Sequence, residues 1–223
     1  MRKKVIIIGG KGSAVVVAEQ IYDAQIKDAN VEFLGFAFDD PSFGLEINGF
    51  PIVSKTRSVF NKYKSFTDVE FIFQLYRPDL MEERIDLLNS YGIPLERFHT
   101  FVHPSSIVSS SAKLGCGSVI LANCVINSNV QIGNHCTIHS NSLVGHDSSL
   151  GDYNFVAAHN VIGSNSKIGR ANFFGLNSTF NNYLKVGDNC FVGMASNVIK
   201  DIHSGEKVYG NPAKPFIGEI KPL

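Results

Sequence analysis

From Val102 to Val198 an aliphatic or aromatic residue recurs at every sixth position without one slip of phase. The series is Val102, Val108, Leu114, Ile120, Ile126, Ile132, Ile138, Val144, Leu150, Val156, Ile162, Ile168, Phe174, Phe180, Val186, Val192 and Val198. The residue after each is most often Gly, as at Gly115, Gly145 and Gly163. Four places on stands a small or polar residue, such as Ser118, Cys124 or Ser148. A helix repeats at about 3.6 residues and a half-buried strand at 2. Period 6 with Gly at the corners predicts a β-solenoid of hexapeptide repeats. Three hexads then make one triangular coil of about 18 residues, and coils stack at the strand spacing of roughly 4.8 Å. No repeat can bury its own aliphatic residue; stacking sets it over its equivalent one coil away. The corner Gly and Asn residues are expected where the turn demands positive φ.

Residues 1–98 follow a different grammar. Lys4–Ile8 reads as a buried parallel strand, Gly9–Ser13 as a loop and Ala14–Ala24 as a helix. Phe33–Phe38 is a second strand that ends at Asp39-Asp40-Pro41, Asp68–Phe73 a further strand and Pro78–Tyr91 a helix. Strands alternating with helices predict a small parallel sheet of mononucleotide-binding type. The expected architecture is therefore an α/β Rossmann-like domain over residues 1–98, then a parallel β-helix over residues 99–223 that ends in a short C-terminal tail. Pro94 and His99–Pro104 mark the join.

Composition narrows the classes. In 223 residues, 20 basic and 20 acidic side chains cancel, and no basic patch argues for nucleic acid. Arg2-Lys3-Lys4 precedes an apolar run that stops at Gly9-Gly10, too short for a signal core or a membrane span. Cys124, Cys136 and Cys190 occupy the small-residue position of the hexad and read as buried thiols of a reducing compartment. A soluble cytoplasmic protein is the simplest expectation.

Three motifs carry candidate chemistry. Gly10, Lys11, Gly12 and Ser13 lie between a strand and a helix, where free N–H groups and the helix dipole favour a phosphate. A plain tight turn is the alternative, and a dinucleotide fingerprint fits less well because Val15 stands where a third Gly belongs. Asp39 and Asp40 end the second strand, where an acid can meet a ribose or base, or simply begin a turn. Among seven His, His135, His139, His146 and His159 fall at corners of the repeat. His159 shares an 18-residue ladder with Asn123, Asn141 and Asn177, and His135 aligns with Tyr153. His146 differs because Asp147 follows it: a carboxylate can fix the imidazole tautomer and raise its basicity. An exposed corner His with no role is the alternative. Ser164 lies 18 residues on, so its N–H would sit near His146, placed for an oxyanion.

The strand–Gly-Gly-Lys-Gly-Ser–helix start, the unbroken hexads, Gly145-His146-Asp147 and the closing Gly210-Asn211-Pro212-Ala213-Lys214 resemble the bacterial sugar acetyltransferases. That family includes sialic acid O-acetyltransferase and the N-acetyltransferases of UDP-bacillosamine, GDP-perosamine and dTDP-4-amino-4,6-dideoxyhexose pathways. The likeness spans nearly the whole chain. It implies a left-handed β-helix, a homotrimer with a site between neighbouring solenoids, acetyl-CoA as co-substrate and no metal. It also implies a role in glycan or lipopolysaccharide O-antigen biosynthesis. His146 carries over as general base and Asp147 as its orienting acid, where many relatives have Glu. Phe155, Ser164, Leu176, Met194, Asn211, Pro212 and Lys214 fall where relatives contact CoA, with Phe155 in place of a common His. The nucleotide of a linked amino sugar would rest near Gly10–Ser13 and Asp39-Asp40, with its 4-amino group aimed at the thioester. Gln74-Leu75-Tyr76-Arg77 departs from an Ala-Ile-Gly turn of many relatives.

The expected reaction is direct transfer: the amine attacks the acetyl carbonyl, His146 removes a proton and the Ser164 N–H holds the oxyanion. No Ser or Cys is expected beside a base as a covalent nucleophile. Three rivals stand beside this reading. One is O-acetylation of sialic acid or a related sugar. Another is a γ-carbonic-anhydrase-like metal hydratase, which needs three His converging on zinc. The third is a non-catalytic scaffold.

Overall fold

The structure is a computed structural model that describes residues 2–216. The outermost residues of the expected C-terminal tail, 217–223, lie outside the described residues.

The N-terminal part is a sheet flanked by helices. Its elements are β1 (Lys3–Ile8), α1 (Ser13–Ile26), β2 (Val31–Ala37), β3 (Glu46–Ile47), β4 (Phe50–Ser54), α2 (Val59–Tyr63), β5 (Val69–Phe73) and α3 (Met81–Ser90). The strand order is β3-β4-β2-β1-β5. β1 pairs in parallel with both β2 and β5, β4 joins β2 in parallel, and β3 closes the edge antiparallel to β4. β1 is the central strand, which is why Val5–Ile8 form a continuous apolar run that is fully buried. On α1, the apolar spacing Ala14, Val17, Ala18, Ile21 and Ala24 gives one buried stripe.

The hexads form the predicted coils, each made of three two-residue strands. Stacking gives three parallel sheets. The first contains Leu143–Val144, the second Ser149–Leu150 and the third Phe155–Val156. Every hexad residue from Ile120 to Val198 points inward to one continuous core. The arrangement matches a left-handed parallel β-helix.

The corners correct one expectation. The positive-φ residue is not the Gly that follows the aliphatic position. It stands two places later, at Asn123, Asn129, His135, Asn141, Asp147, Tyr153 and on to Ala195. The Gly is needed for a different reason, the close approach of the next coil. A Cβ on Gly145 would lie 2.5 Å from the Ser164 backbone N.

The two parts are joined by apolar contact. Phe101, Val119 and Leu121 of the solenoid belong to the same buried cluster as Val17 and Ile21 of α1. Each such side chain contributes about 1.5–3 kcal/mol on burial. Thus α1 and the segment after β5 meet the sheet that contains Val119–Ile120, Thr137–Ile138 and Phe155–Val156. Polar bonds reinforce this contact: Tyr76 Oη donates to the His135 carbonyl at 3.1 Å, and Arg170 meets Glu82 of α3 at 2.7 Å.

Candidate active site

His146 and Asp147 lie on the corner between the sheets of Leu143–Val144 and Ser149–Leu150. His146 Nδ1 is 2.7 Å from Asp147 Oδ2. Asn129, one coil back, donates to Asp147 Oδ1 at 2.9 Å. Both carboxylate oxygens are therefore held, and the His146 bond chiefly holds the Asp147 carboxyl below its ordinary range. Nδ1–H toward the carboxylate leaves Nε2 with its lone pair, the state a general base requires. The imidazole is 56% exposed, so a substrate can reach it.

Ser164 stacks over this corner: the next residue, Asn165, donates its N–H to the His146 carbonyl at 2.9 Å. The Ser164 N–H itself donates to Asn182 Oδ1 at 2.8 Å. An oxyanion would have to displace that side chain.

The Gly10–Ser13 loop stands at the carboxyl ends of β1, β2 and β5, where ligands of parallel sheets bind. Gly12 has φ 52 and ψ −119 and begins α1. Its missing Cβ would meet nothing within 4 Å, so the backbone there faces open space. Lys11 Nζ is 2.7 Å from Asp40 Oδ2. That contact, with the Ser42 hydroxyl and N–H, lowers the Asp40 pKa to about 2. Asp39 turns away: it accepts from the Thr56 N–H at 3.1 Å and from the Thr56 hydroxyl, tying β2 to the segment after β4.

Ser13 meets an imidazole and an amide across the two parts of the chain. Its Oγ is 2.9 Å from His139 Nε2 and 2.9 Å from Gln74 Oε1. Gln74 Nε2 donates to Thr137 Oγ1 at 2.8 Å, which turns its Oε1 toward Ser13. Ser13 then gives its one proton to Gln74 and accepts from His139 Nε2–H. Burial pulls the His139 pKa down to about 4, so the ring is a neutral donor. Ser13 is anchored and not activated as a nucleophile.

A cleft of about 500 Å³ opens beside this loop, lined by Lys11, Gly12, Ser13, Gln74, Tyr76, Arg77, Arg84, Phe155 and Phe173 among others. Phe155 thus shares a cleft with the loop. Its ring stacks on Phe173 at 5.2 Å. Leu176 and Met194 stand one coil apart on the corner after the Phe173–Phe174 and Phe191–Val192 strands, 48% and 57% exposed. Asn211, before cis-Pro212, accepts from Asn197 at 3.3 Å. Lys214 lies in the strand Lys214–Pro215, antiparallel to Lys207–Tyr209.

One chain does not bring all these residues together. The N-terminal part covers the sheet of Thr137–Ile138 and Phe155–Val156. His146 sits on the corner opposite that sheet, because a triangular coil has only one corner that does not border it. The cleft and the exposed Leu176–Met194 ledge lie on one side of the prism, and His146, Asp147 and Ser164 on another.

Comparison with known proteins agrees with this architecture. The GMPPB C-terminal domain family matches residues 102–207, within the solenoid. No curated protein matches significantly. The acetyltransferase domain of PglB from Neisseria gonorrhoeae is 26% identical, with TM-score 0.79, over 96% of this chain and 100% of that one. It has also been solved with acetyl coenzyme A. Perosamine N-acetyltransferase from Caulobacter crescentus, solved with CoA and GDP-perosamine, is 22% identical, with TM-score 0.82, over 96% of this chain and 97% of that one. WeeI from Acinetobacter baumannii is 19% identical, with TM-score 0.69, over 97% of this chain and 100% of that one.

Over nearly its whole length the chain is similar to solved bacterial sugar acetyltransferases of the hexapeptide-repeat type. Among the described residues no group of three or more His, Cys, Asp or Glu could hold one. No described helix is long and apolar enough to cross a membrane. The contacts that sequence reasoning missed are those of Asn129, Asn182, Gln74 and His139. The first two could have been found from the 18-residue register, which stacks Asn129 with Asp147 and Asn182 with Ser164. Gln74 and His139 meet Ser13 across the two parts of the chain, and no local spacing announces that.

Proposed function

We propose that the protein transfers the acetyl group of acetyl-CoA to the 4-amino group of a nucleotide-linked amino-dideoxy sugar. The observation that carries this reading is the pairing of two features on one chain: an exposed, carboxylate-oriented imidazole and a cationic cleft at the ends of a parallel sheet. His146 Nε2 takes a proton as the amine attacks the thioester carbonyl. Asp147 fixes the tautomer and balances the imidazolium. The Ser164 N–H stabilises the tetrahedral oxyanion once Asn182 releases it. The C–N bond forms, the C–S bond breaks and CoA leaves as the thiol.

The division of labour follows the chain. Residues 1–98 form the Rossmann-like part that receives the nucleotide, and residues 99–223 carry acetyl-CoA and the base. Leu176 and Met194 offer an apolar ledge to the pantetheine arm, with Phe155, Asn211, Pro212 and Lys214 along the same path. Gly10, Lys11, Gly12, Ser13 and Asp40 receive the nucleotide. Asp39 is committed to Thr56 and acts on that site only by shaping the loop.

The working unit is a homotrimer. The sheet of Leu143–Val144 turns Ile107, Val125, Leu143 and Val161 outward, then Thr179 and Asn197 at its far end, and Ile107 and Val161 are 65% and 42% exposed. The outward residues of the next sheet are Lys113, Gln131, Ser149, Lys167 and Lys185. The apolar face is the one that gains by association. It is bounded by the His146 corner on one edge and the Leu176–Met194 corner on the other. Three copies that present this face to a three-fold axis bring the first edge of each to the second edge of its neighbour. The base then meets the cofactor ledge and cleft of the next copy. This arrangement, a nucleotide-sugar substrate and action in the cytoplasm fit together.

The test is an assay of acetyl-CoA with UDP-, GDP- and dTDP-linked 4-amino sugars and with sialic acid, with products read by mass spectrometry. N-acetylation of a nucleotide sugar is the expected result. Acetylation of sialic acid alone would favour the O-acetyltransferase reading. No transfer to any acceptor and no acetyl-CoA binding would favour a scaffold.

A further inference from the structure

Three cations line the cleft beside the Gly10–Ser13 loop, and no carboxylate does. They are not equivalent. Lys11 is neutralised by Asp40 at 2.7 Å. Arg77 is neutralised by Asp79, to which it donates through Nε at 3.1 Å and Nη2 at 2.5 Å. Arg84, in the first turn of α3, makes no ion pair among the described residues, although Asp79 lies near enough to feel its charge, and its Nε is buried without an acceptor. A buried donor with no partner costs the full desolvation of that group, and more when the group is charged. Such an orphan beside a ligand cleft marks a guanidinium whose hydrogen bonding the chain itself leaves incomplete.

We infer that Arg84 grips one phosphate of a nucleoside diphosphate, while the Gly12 loop receives the other; the inference rests on the nucleotide-sugar reading above. The loop offers backbone N–H groups at a helix start, and the charge of Lys11 is already spent on Asp40. It therefore suits one phosphate by hydrogen bonding. A second phosphate adds charge that only an unbalanced cation answers. A planar guanidinium fork matches two phosphate oxygens at once. Arg84 thus sets the preference for diphosphate over monophosphate, whatever the base. CoA also carries a diphosphate, so the test must separate the two sources.

The experiment is calorimetric titration of the full chain with UDP, GDP and dTDP, with the matching monophosphates, and with CoA. The native protein should bind at least one diphosphate about 10-fold or more tighter than its monophosphate, the margin of a charge-assisted bond. Arg84→Gln should erase that margin and leave monophosphate and CoA affinities within about threefold. Arg84→Lys keeps the charge without the fork and should retain part of the margin. An unchanged margin in Arg84→Gln overturns the role of Arg84 and leaves the acetyltransferase reading intact. A loss of CoA affinity in Arg84→Gln assigns the guanidinium to the cofactor and also overturns the inference. A native protein that binds no nucleotide overturns both readings at once.

Discussion

The backbone N–H of Ser164 donates to Asn182 Oδ1 at 2.8 Å, one coil above the His146 carbonyl that accepts from Asn165. The donor best placed for an oxyanion beside His146 is thus capped by a side chain that must leave. Asn182→Ala should free it. Turnover in that variant should match or exceed the native value, with a stability loss of about 1 kcal/mol for the missing hydrogen bond. Steady-state kinetics check this. A fall of 10-fold or more in turnover would show that Asn182 itself acts in the reaction.

His146→Ala should cut turnover by roughly 10²–10⁴-fold and barely move the melting temperature, since the ring is exposed. Asp147→Asn should lose less, because the imidazole remains while its orienting charge does not. In a pH–rate profile the ascending limb set by the general base should vanish in His146→Ala. His159→Asn is the control: His159 stands 3.4 Å from Asn141 in a corner ladder, so most activity should remain. Near-native turnover in His146→Ala, or greater damage from His159→Asn, would move the base elsewhere.

Gly12→Val places a branched side chain where φ is 52 and the Cβ enters open cleft space. The Michaelis constant for the nucleotide sugar should rise sharply and that for acetyl-CoA should hardly change. Equal effects on both substrates would make the loop a support of the fold.

Acid should weaken the join between the two parts. Burial lowers His135 and His139 to about 4 from the ordinary 6.5. Between those values the unfolded chain binds more protons than the folded one. Stability is therefore whole above about pH 6.5 and drains as pH falls toward about 4, before the paired carboxylates begin to protonate. Urea midpoints at pH 7 and pH 5 check the sign. A midpoint that holds or rises at pH 5 would contradict it.

Much of this was legible in the sequence, and the reasons differ by region. The solenoid could be read because one aliphatic residue per six must face the axis, so the core is written at a fixed spacing. β1, α1, β2, β5 and α3 were readable from their apolar runs. The β3–β4 hairpin and α2 were not, since residues 46–63 hold short elements of mixed polarity at a sheet edge. The His146–Asp147 pair is local and was visible. The Ser13–Gln74–His139 network was not, because its members are 61 and 126 residues apart along the chain. Asp39 looked equivalent to Asp40 until Thr56 was seen to take its carboxylate.

The central claim is that each site joins the His146 corner of one copy to the cleft of the next. Complementation tests it most directly. His146→Ala and Gly12→Val chains, each nearly inactive alone, are co-expressed with different tags, and trimers that carry both tags are isolated. If the site spans two copies, every trimer that carries both tags restores a native base opposite a native cleft at one of its three sites, about a third. The account predicts that acetyl transfer to the nucleotide sugar returns to about that fraction of native turnover. Mixed trimers no more active than either parent would contradict it.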